Sequence, residues 1–316
     1  MSQHPPSQLQ AMPPRLTAAE LMAADLPARQ TILDPLLATK SLALLYGPRG
    51  LGKTFMAMSI AWAVAGGGQF LNWRASRPHR VCYVDGEMPA VDMKERLRLL
   101  GAVPPSLSFL LADLNEKGIP DLGTTQGQIH LIESWGKQPE LLVLDNLASL
   151  VGTRHNGSDR WSHVQDLLMY LRRTGVAVLL VHHANKAGEQ RGTSRREDVL
   201  DLVLSLRRPT DYRASQGARF EIHFDKARGL HGDAVKPIEA RLGTNADGRI
   251  HWTWQPAQDG ELQRAVQLLN EGLNPLQVAT ALGLSKSTSY RLRERAGELG
   301  LLKAPPPLAG EANPIA

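Results

Sequence analysis

Residues 42–54 read LALLYGPRGLGKT. An apolar run ends at Tyr46, three glycines follow within six residues, and a lysine and a threonine open the next segment, whose apolar spacing is that of a helix. Strand, glycine-rich loop and helix in that order is the context a P-loop requires, and a chance glycine-rich turn would need neither flank. In such a loop Gly47, Gly50 and Gly52 let backbone N–H groups close around a β-phosphate. The loop residues are Gly47, Pro48, Arg49, Gly50, Leu51, Gly52, Lys53 and Thr54. Lys53 would span the β- and γ-phosphates, and the Thr54 hydroxyl would ligate Mg²⁺. The expected ligands are ATP and Mg²⁺.

Outward from this loop, short apolar runs recur at RVCYVDGE (80–87), LSFLLAD (107–113), LLVLDN (141–146) and VAVLLVHH (176–183). Each reads as a buried strand. Segments of helical period lie between them, roughly 53–66, 89–100, 124–135 and 159–173, so strand and helix alternate. That alternation predicts an α/β fold, a parallel sheet with helices on both faces. Beyond Arg191 the pattern changes. LDLVLSLRR, ARFEIHFDKARG, KPIEARLG and RIHWTWQ follow one another with turn residues between them, which predicts further strands at the sheet's far edge, antiparallel to their neighbours. The expected organisation is a flexible lead-in over 1–29, an α/β domain over 30–256, a small all-α domain over 257–303 and a disordered tail over 304–316.

Bulk composition excludes some classes and leaves others open. With 316 residues, 42% of them hydrophobic, the chain can fill a large core. Its one cysteine, Cys82, permits no intramolecular disulfide and no cysteine-rich zinc site, which suits a reducing cytoplasm. No apolar stretch is long enough to span a bilayer, and the polar, proline-rich start MSQHPPSQLQAMPP lacks the pattern of a signal peptide, so neither a membrane partner nor secretion is expected. The net charge of +5 is compatible with nucleic acid without establishing it.

Carboxylates stand at two strand ends. Asp145 closes LLVLDN, where an isolated buried charge is costly unless it meets a cation, so it reads as a ligand of Mg²⁺ through water or, alternatively, as a helix N-cap. Asn146 follows it, so a general base must come from elsewhere. VCYVDGEMP offers Glu87 as the best candidate and Asp85 as the alternative, on a strand expected to neighbour that of the P-loop. His182 and His183 are consecutive on a strand, so they point to opposite faces and cannot chelate one metal together.

Taken together these residues resemble the hexameric ATPases of the RecA/DnaB type, and within them the small plasmid RepA-like replicative helicases. The resemblance spans about 30–255. Gly86-Glu87-Met88 resembles the family's glutamate motif, and His183 stands where the family carries a polar γ-phosphate sensor. RGTSRREDVLDLVLSLRR resembles the stretch from the DNA-facing loop through the next strand, which implies single-stranded DNA contacts from Lys186 and Arg191. Lys226 and Arg228, in KARG, match cations that reach a neighbouring subunit's nucleotide; a solvated hairpin end is the other reading. The resemblance implies a homo-oligomer, a hexamer, hydrolysing ATP at its interfaces with Lys53, Glu87, His183, Lys226 and Arg228. Two features depart from it: no separate amino-terminal domain of the DnaB kind is expected, only a short lead-in, and the helical segment after 256 is extra.

That segment, NPLQVATALGLSKSTSYRLRERAGELGLL (274–302), resembles the helix-turn-helix of transcription factors. Gly283 falls in the turn, Leu284 is expected to be buried, and Ser285 is expected to cap the second helix. Lys286 and Ser287 would then face base edges of duplex DNA, with Arg291 and Arg293 on phosphates. A three-helix module for protein contacts is the alternative, and Ser289 stands where an aliphatic core residue is common. The functional expectation is an ATP-driven DNA motor, a RepA-like replicative helicase of a plasmid or mobile element. The alternatives are a nucleotide-switched DNA-binding regulator and a RecA-like recombination or repair ATPase.

Overall fold

The computed structural model describes residues 13–152, 157–183, 198–209, 212–257 and 260–303. The chain forms two compact units, one ending at Gln30 and one beginning at Thr31. In the first, where a flexible lead-in was expected, a short helix runs from Ala18 to Ala23. Its cause is a reciprocal cap: the Thr17 side chain accepts from the Glu20 N–H, and the Glu20 carboxylate accepts from the Thr17 N–H.

The second unit is built on a nine-stranded sheet. Its strands in chain order are β1 (Leu42–Gly47), β2 (Val81–Asp85), β3 (Leu107–Leu111), β4 (Leu141–Asp145), β5 (Ala177–His183), β6 (Leu202–Arg207), β7 (Arg219–Ala227), β8 (Ile238–Thr244) and β9 (Ile250–Pro256). Across the sheet they lie in the order β9-β8-β7-β6-β1-β5-β4-β2-β3. The helices between them are α1 (Lys53–Gly66), α2 (Ala90–Leu100), α3 (Thr125–Glu133), α4 (Leu147–Leu150) and α5 (Gly157–Arg173). The runs from β1 to β5 are parallel, as their continuous apolar character requires.

Two expectations about pairing are corrected. β6 is parallel to β1, not antiparallel; only β7, β8 and β9 form the antiparallel extension. The chain reaches β6 from β5 by a connection long enough for a crossover, and Leu202 to Ser205 then run alongside Ala43 to Tyr46. Glycine at 47 permits this approach, because a Cβ there would come within 2.9 Å of the Leu206 carbonyl oxygen. The second correction concerns Asp85 and Glu87: β2 does not neighbour β1, since β5 and β4 lie between them. Asp85 is instead in register with Asp145 on β4.

Alternate residues of each strand feed two apolar layers. Ala43, Leu45, Tyr83, Val143 and Leu179 face the layer that includes α1, which is apolar around nearly its whole circumference and accordingly buried. Leu42, Leu44, Val84, Leu144 and Leu180 face the other, with Val164, Leu167, Leu168 and Leu171 of α5. The polar carboxyl ends of the central strands are thereby left at one rim of a rigid slab.

Three further helices follow β9: α6 (Gly260–Asn270), α7 (Pro275–Leu282) and α8 (Lys286–Glu298). Asn274 and Gln277 cap α7 reciprocally, Gly283 ends it at φ 66°, and Ser285 caps α8. Leu262, Ala265, Val278, Leu292 and Ala296 form their small core, against which Leu284 packs half-buried, less enclosed than expected. Ser289 is buried, and its hydroxyl donates to the Pro275 carbonyl at 2.6 Å, which is how a polar residue fits an aliphatic position. The tail at 304–316 lies outside the described residues. No helix among the described residues is long and apolar enough to cross a membrane.

Candidate active site

At the carboxyl ends of β1, β4, β5 and β2 lies a cavity of about 530 Å³. Gly50 and Gly52 hold φ values of 71° and 108°, a left-handed backbone that favours glycine. Gly52 is also crowded: a Cβ would meet the Phe220 ring at 3.2 Å and the Ala218 side chain at 3.3 Å. Lys53 is the first residue of α1, and its Nζ donates to the carbonyls of Gly47 (2.9 Å) and Pro48 (2.7 Å). Burial pulls its ammonium down to about 8 against the opposing attraction of Asp145.

Asp145 is almost wholly buried, and burial pushes its carboxyl upward. Hydrogen bonds from Tyr83 and Thr54 and the charge of Lys53 oppose that shift and favour the carboxylate. The Tyr83 hydroxyl, itself fully buried, donates to Asp145 Oδ2 at 2.6 Å. A threonine hydroxyl beside a carboxylate is a pair of hard oxygen donors that fits Mg²⁺. The N-cap alternative for Asp145 is corrected: the cap of α4 is Asn146, whose Oδ1 accepts from the N–H groups of Ala148 and Ser149.

The two acidic candidates at and just past the end of β2 have separate situations. Asp85 is buried, which raises its carboxyl, and its Oδ1 accepts from the N–H groups of Glu87 (2.9 Å) and Met88 (2.6 Å), so it fixes the turn. Glu87, carried on that turn, extends its side chain into the cavity, where Asn146 Nδ2 donates to its Oε2. The same Nδ2 lies 3.2 Å from His183 Nε2, and His183 Nε2 is 3.8 Å from Glu87 Oε2. Burial and then Lys53 push the His183 ring below its ordinary value, toward the neutral form. His182, in register with Tyr46, is buried and does not line the cavity, whereas His183, in register with Gly47, does.

Sequence reasoning missed several members. Arg96 and Asp92 line the cavity from α2, with the Arg96 guanidinium 4.6 Å from the Phe55 ring centroid. Arg208 donates to the Gly50 carbonyl at 3.3 Å and stacks 3.7 Å from the Tyr212 ring, linking the loop after β6 to the P-loop. Arg96 had a signal in its position on the helix after Glu87; Arg208 and Tyr83 had none without strand register.

The structure does not bring Lys226 and Arg228 to this cavity. Lys226 pairs with Val203, next to Leu202, which pairs with Ala43 near the amino end of β1, so both lie toward the opposite rim. Arg228 Nη2 donates there to the Asp198 carbonyl at 2.8 Å. Lys186 and Arg191 lie outside the described residues. Lys286, Ser287, Arg291 and Arg293 are all exposed on α8.

Fold and cavity together define a P-loop ATPase of the RecA-like type: a largely parallel sheet with a phosphate loop after one strand and a buried aspartate at the end of another. The AAA domain family (AAA_25) matches residues 3–189, and the chain belongs to that family. Its sequence is 29% identical over 169 residues to the DNA repair protein RadA of Brucella abortus (strain 2308), a match covering 52% of this chain and 32% of that protein. The chain thus spans about a third of that relative's length. A KaiC-like protein from Pyrococcus horikoshii OT3 is similar in structure, with 14% identity, a TM-score of 0.49 and coverage of 70% of this chain and 93% of that one. The flagellar accessory protein FlaH of Methanocaldococcus jannaschii gives 11% identity, a TM-score of 0.48 and coverage of 69% and 91%.

Proposed function

We propose that this ATPase is a DNA motor of the RepA-like replicative helicase type, working as a ring of identical subunits, a hexamer. The observation that carries the hydrolytic part is Glu87 at the cavity, tied to His183 through Asn146 and facing the group of Lys53, Thr54 and Asp145. On this reading the loop amides from Gly47 to Gly52 and Lys53 hold the phosphates of ATP. Mg²⁺, when bound, neutralises charge on the β- and γ-phosphates, and Thr54 and Asp145 are its holders. Glu87 accepts a proton as the water oxygen bonds to the γ-phosphorus and the bond to the bridging oxygen breaks. Asp85 is unsuited to that task because its Oδ1 already serves two backbone amides. His183 reports the γ-phosphate. Lys226 and Arg228, remote from their own cavity, serve that of a neighbour.

In the same reading residues 30–256 are the motor domain and residues 257–303 a helix-turn-helix domain. Lys186 and Arg191 contact single-stranded DNA, and the exposed row Lys286, Ser287, Arg291 and Arg293 contacts duplex. A second reading, a recombination or repair ATPase, is favoured by the likeness to RadA.

Strand displacement measured alongside ATPase activity separates the two. The helicase reading expects single-stranded DNA to stimulate turnover and a fork to be unwound; the repair reading expects stimulation and strand pairing without unwinding. Turnover indifferent to single strands would remove both. Deleting residues 258–316 is expected to leave ATPase activity intact and to weaken duplex binding at matched salt. Undiminished duplex binding would favour a protein-contact role for α6 to α8.

A further inference from the structure

We propose that Asn146 is a positioning residue for hydrolysis: its single amide group holds Glu87 and His183 together and determines which His183 nitrogen carries the proton. The proposal rests on the reading of Glu87 as the base.

The orientation of this amide is fixed from behind. Its oxygen accepts from the N–H groups of Ala148 at 3.0 Å and Ser149 at 3.3 Å, and backbone amides can only donate, so Nδ2 must point away from α4. Nδ2 has two hydrogens and two neighbours, Glu87 Oε2 and His183 Nε2. Glu87 and His183, at 3.8 Å, are too far apart to hydrogen-bond directly, so Asn146 is the group that joins them. Glu87 needs such a partner. Its side chain is 66% exposed, and Asp85 holds only the backbone of its turn, so the carboxylate is otherwise free to turn among rotamers.

An Nε2 that accepts from Asn146 carries no proton, which puts the ring proton on Nδ1. Nδ1 is buried and meets no hydrogen-bond partner among the described residues, so this tautomer is retained only while Asn146 holds Nε2. In this arrangement His183 cannot donate through Nε2 to a phosphoryl oxygen. To do so it must gain a proton there or turn, and either change breaks its bond to Asn146 while the bond to Glu87 remains. Sensing the γ-phosphate and placing the base are then two ends of one amide.

The test uses the full chain, wild type against Asn146→Ser and Asn146→Asp. Both substitutions retain an N-cap oxygen for α4, and both remove the amide donor. Expected for Asn146→Ser is binding of a fluorescent ATP analogue within about threefold of wild type, with bound ATP hydrolysed about 10- to 100-fold more slowly. Asn146→Asp, which sets a second carboxylate against Glu87, should be slower still. If Asn146→Ser unfolds readily, Asn146→Asp is judged by the same split between binding and turnover. Hydrolysis within twofold of wild type in a folded variant overturns the proposal. The independent readout is solid-state NMR of ¹⁵N-histidine protein, with His183→Gln assigning the signal: Nδ1 protonated in wild type, Nε2 protonated in Asn146→Ser. A wild-type ring protonated at Nε2 overturns it too. Full activity in Glu87→Gln would instead remove Glu87 as base, and the ring signal would still decide whether Asn146 sets the tautomer.

Discussion

The two rims of the parallel sheet treat carboxylates in opposite ways. At the carboxyl rim, burial raises Asp85 and Asp145, and each is kept useful by a few donors such as Tyr83. At the amino rim, Glu140 just before β4 accepts from the Arg80 N–H, from His79 and from Arg77, and these overcome its burial and hold it down at about 2. Asp201, before β6, similarly takes the Leu42 N–H and the Arg172 guanidinium. These acceptors at the amino rim each take two or more donors and fasten strands together. Those at the carboxyl rim retain unused capacity, which a cation and a polyphosphate can take up. A site of this kind is tolerable because the opposite edge supplies stability.

Perturbing the carboxyl rim should have the largest effects. Lys53→Ala is expected to lose most nucleotide affinity, and Glu87→Gln to bind ATP while turning it over about 10²- to 10⁴-fold more slowly. Equal hydrolysis by Glu87→Gln and wild type would transfer the role to Asp85. Next is Arg228→Ala, a change at the amino rim expected to cost up to about 10³-fold in rate if Arg228 completes a neighbour's site. Mixing it with Lys53→Ala should restore part of the activity, since some interfaces would combine an intact cavity with an intact arginine. No recovery at any ratio would confine Arg228 to its own chain.

Smaller is Tyr83→Phe, which keeps the packing against Phe109 and removes the donor to Asp145. A lost hydrogen bond of about 1 kcal/mol should raise the Mg²⁺ needed for half-maximal turnover roughly fivefold. Nucleotide binding in EDTA should be unchanged, and a fall there would mean that Tyr83 supports the loop instead. Smallest for activity is Glu140→Gln. Because the folded Glu140 sits at about 2 against an ordinary 4.5, its stabilisation is present above pH 4.5 and is lost as pH falls from there toward 2. Unfolding curves should show the variant about 1–3 kcal/mol less stable at pH 7, the gap closing in acid. A gap independent of pH would mean that packing, not charge, is lost.

The legible part of this molecule is local. The apolar runs gave the strands, and GPRGLGKT gave the loop, because hydrophobic period and loop chemistry are written in neighbouring residues. Lateral order is not local: nothing in VCYVDGE says that two strands separate it from LALLYG, and nothing in LDLVLSLRR says that it runs parallel to β1. For the same reason Glu87 and His183 could be singled out one at a time, whereas Asn146 looked only like the absence of a glutamate. Its importance comes from joining residues at 87 and 183, a distance visible only after the sheet closes.

Cys82 gives the molecule a practical property. The thiol faces the apolar layer beneath α5, is buried, and is pushed up to about 11 by that burial. At neutral pH it is almost wholly un-ionised and shielded from maleimides and other alkylating reagents. A cysteine introduced on the surface would therefore be the reactive thiol of the chain, with no need to replace the native one. Dyes placed on the two rims could then test, by energy transfer, whether copies of this chain meet in the proposed way.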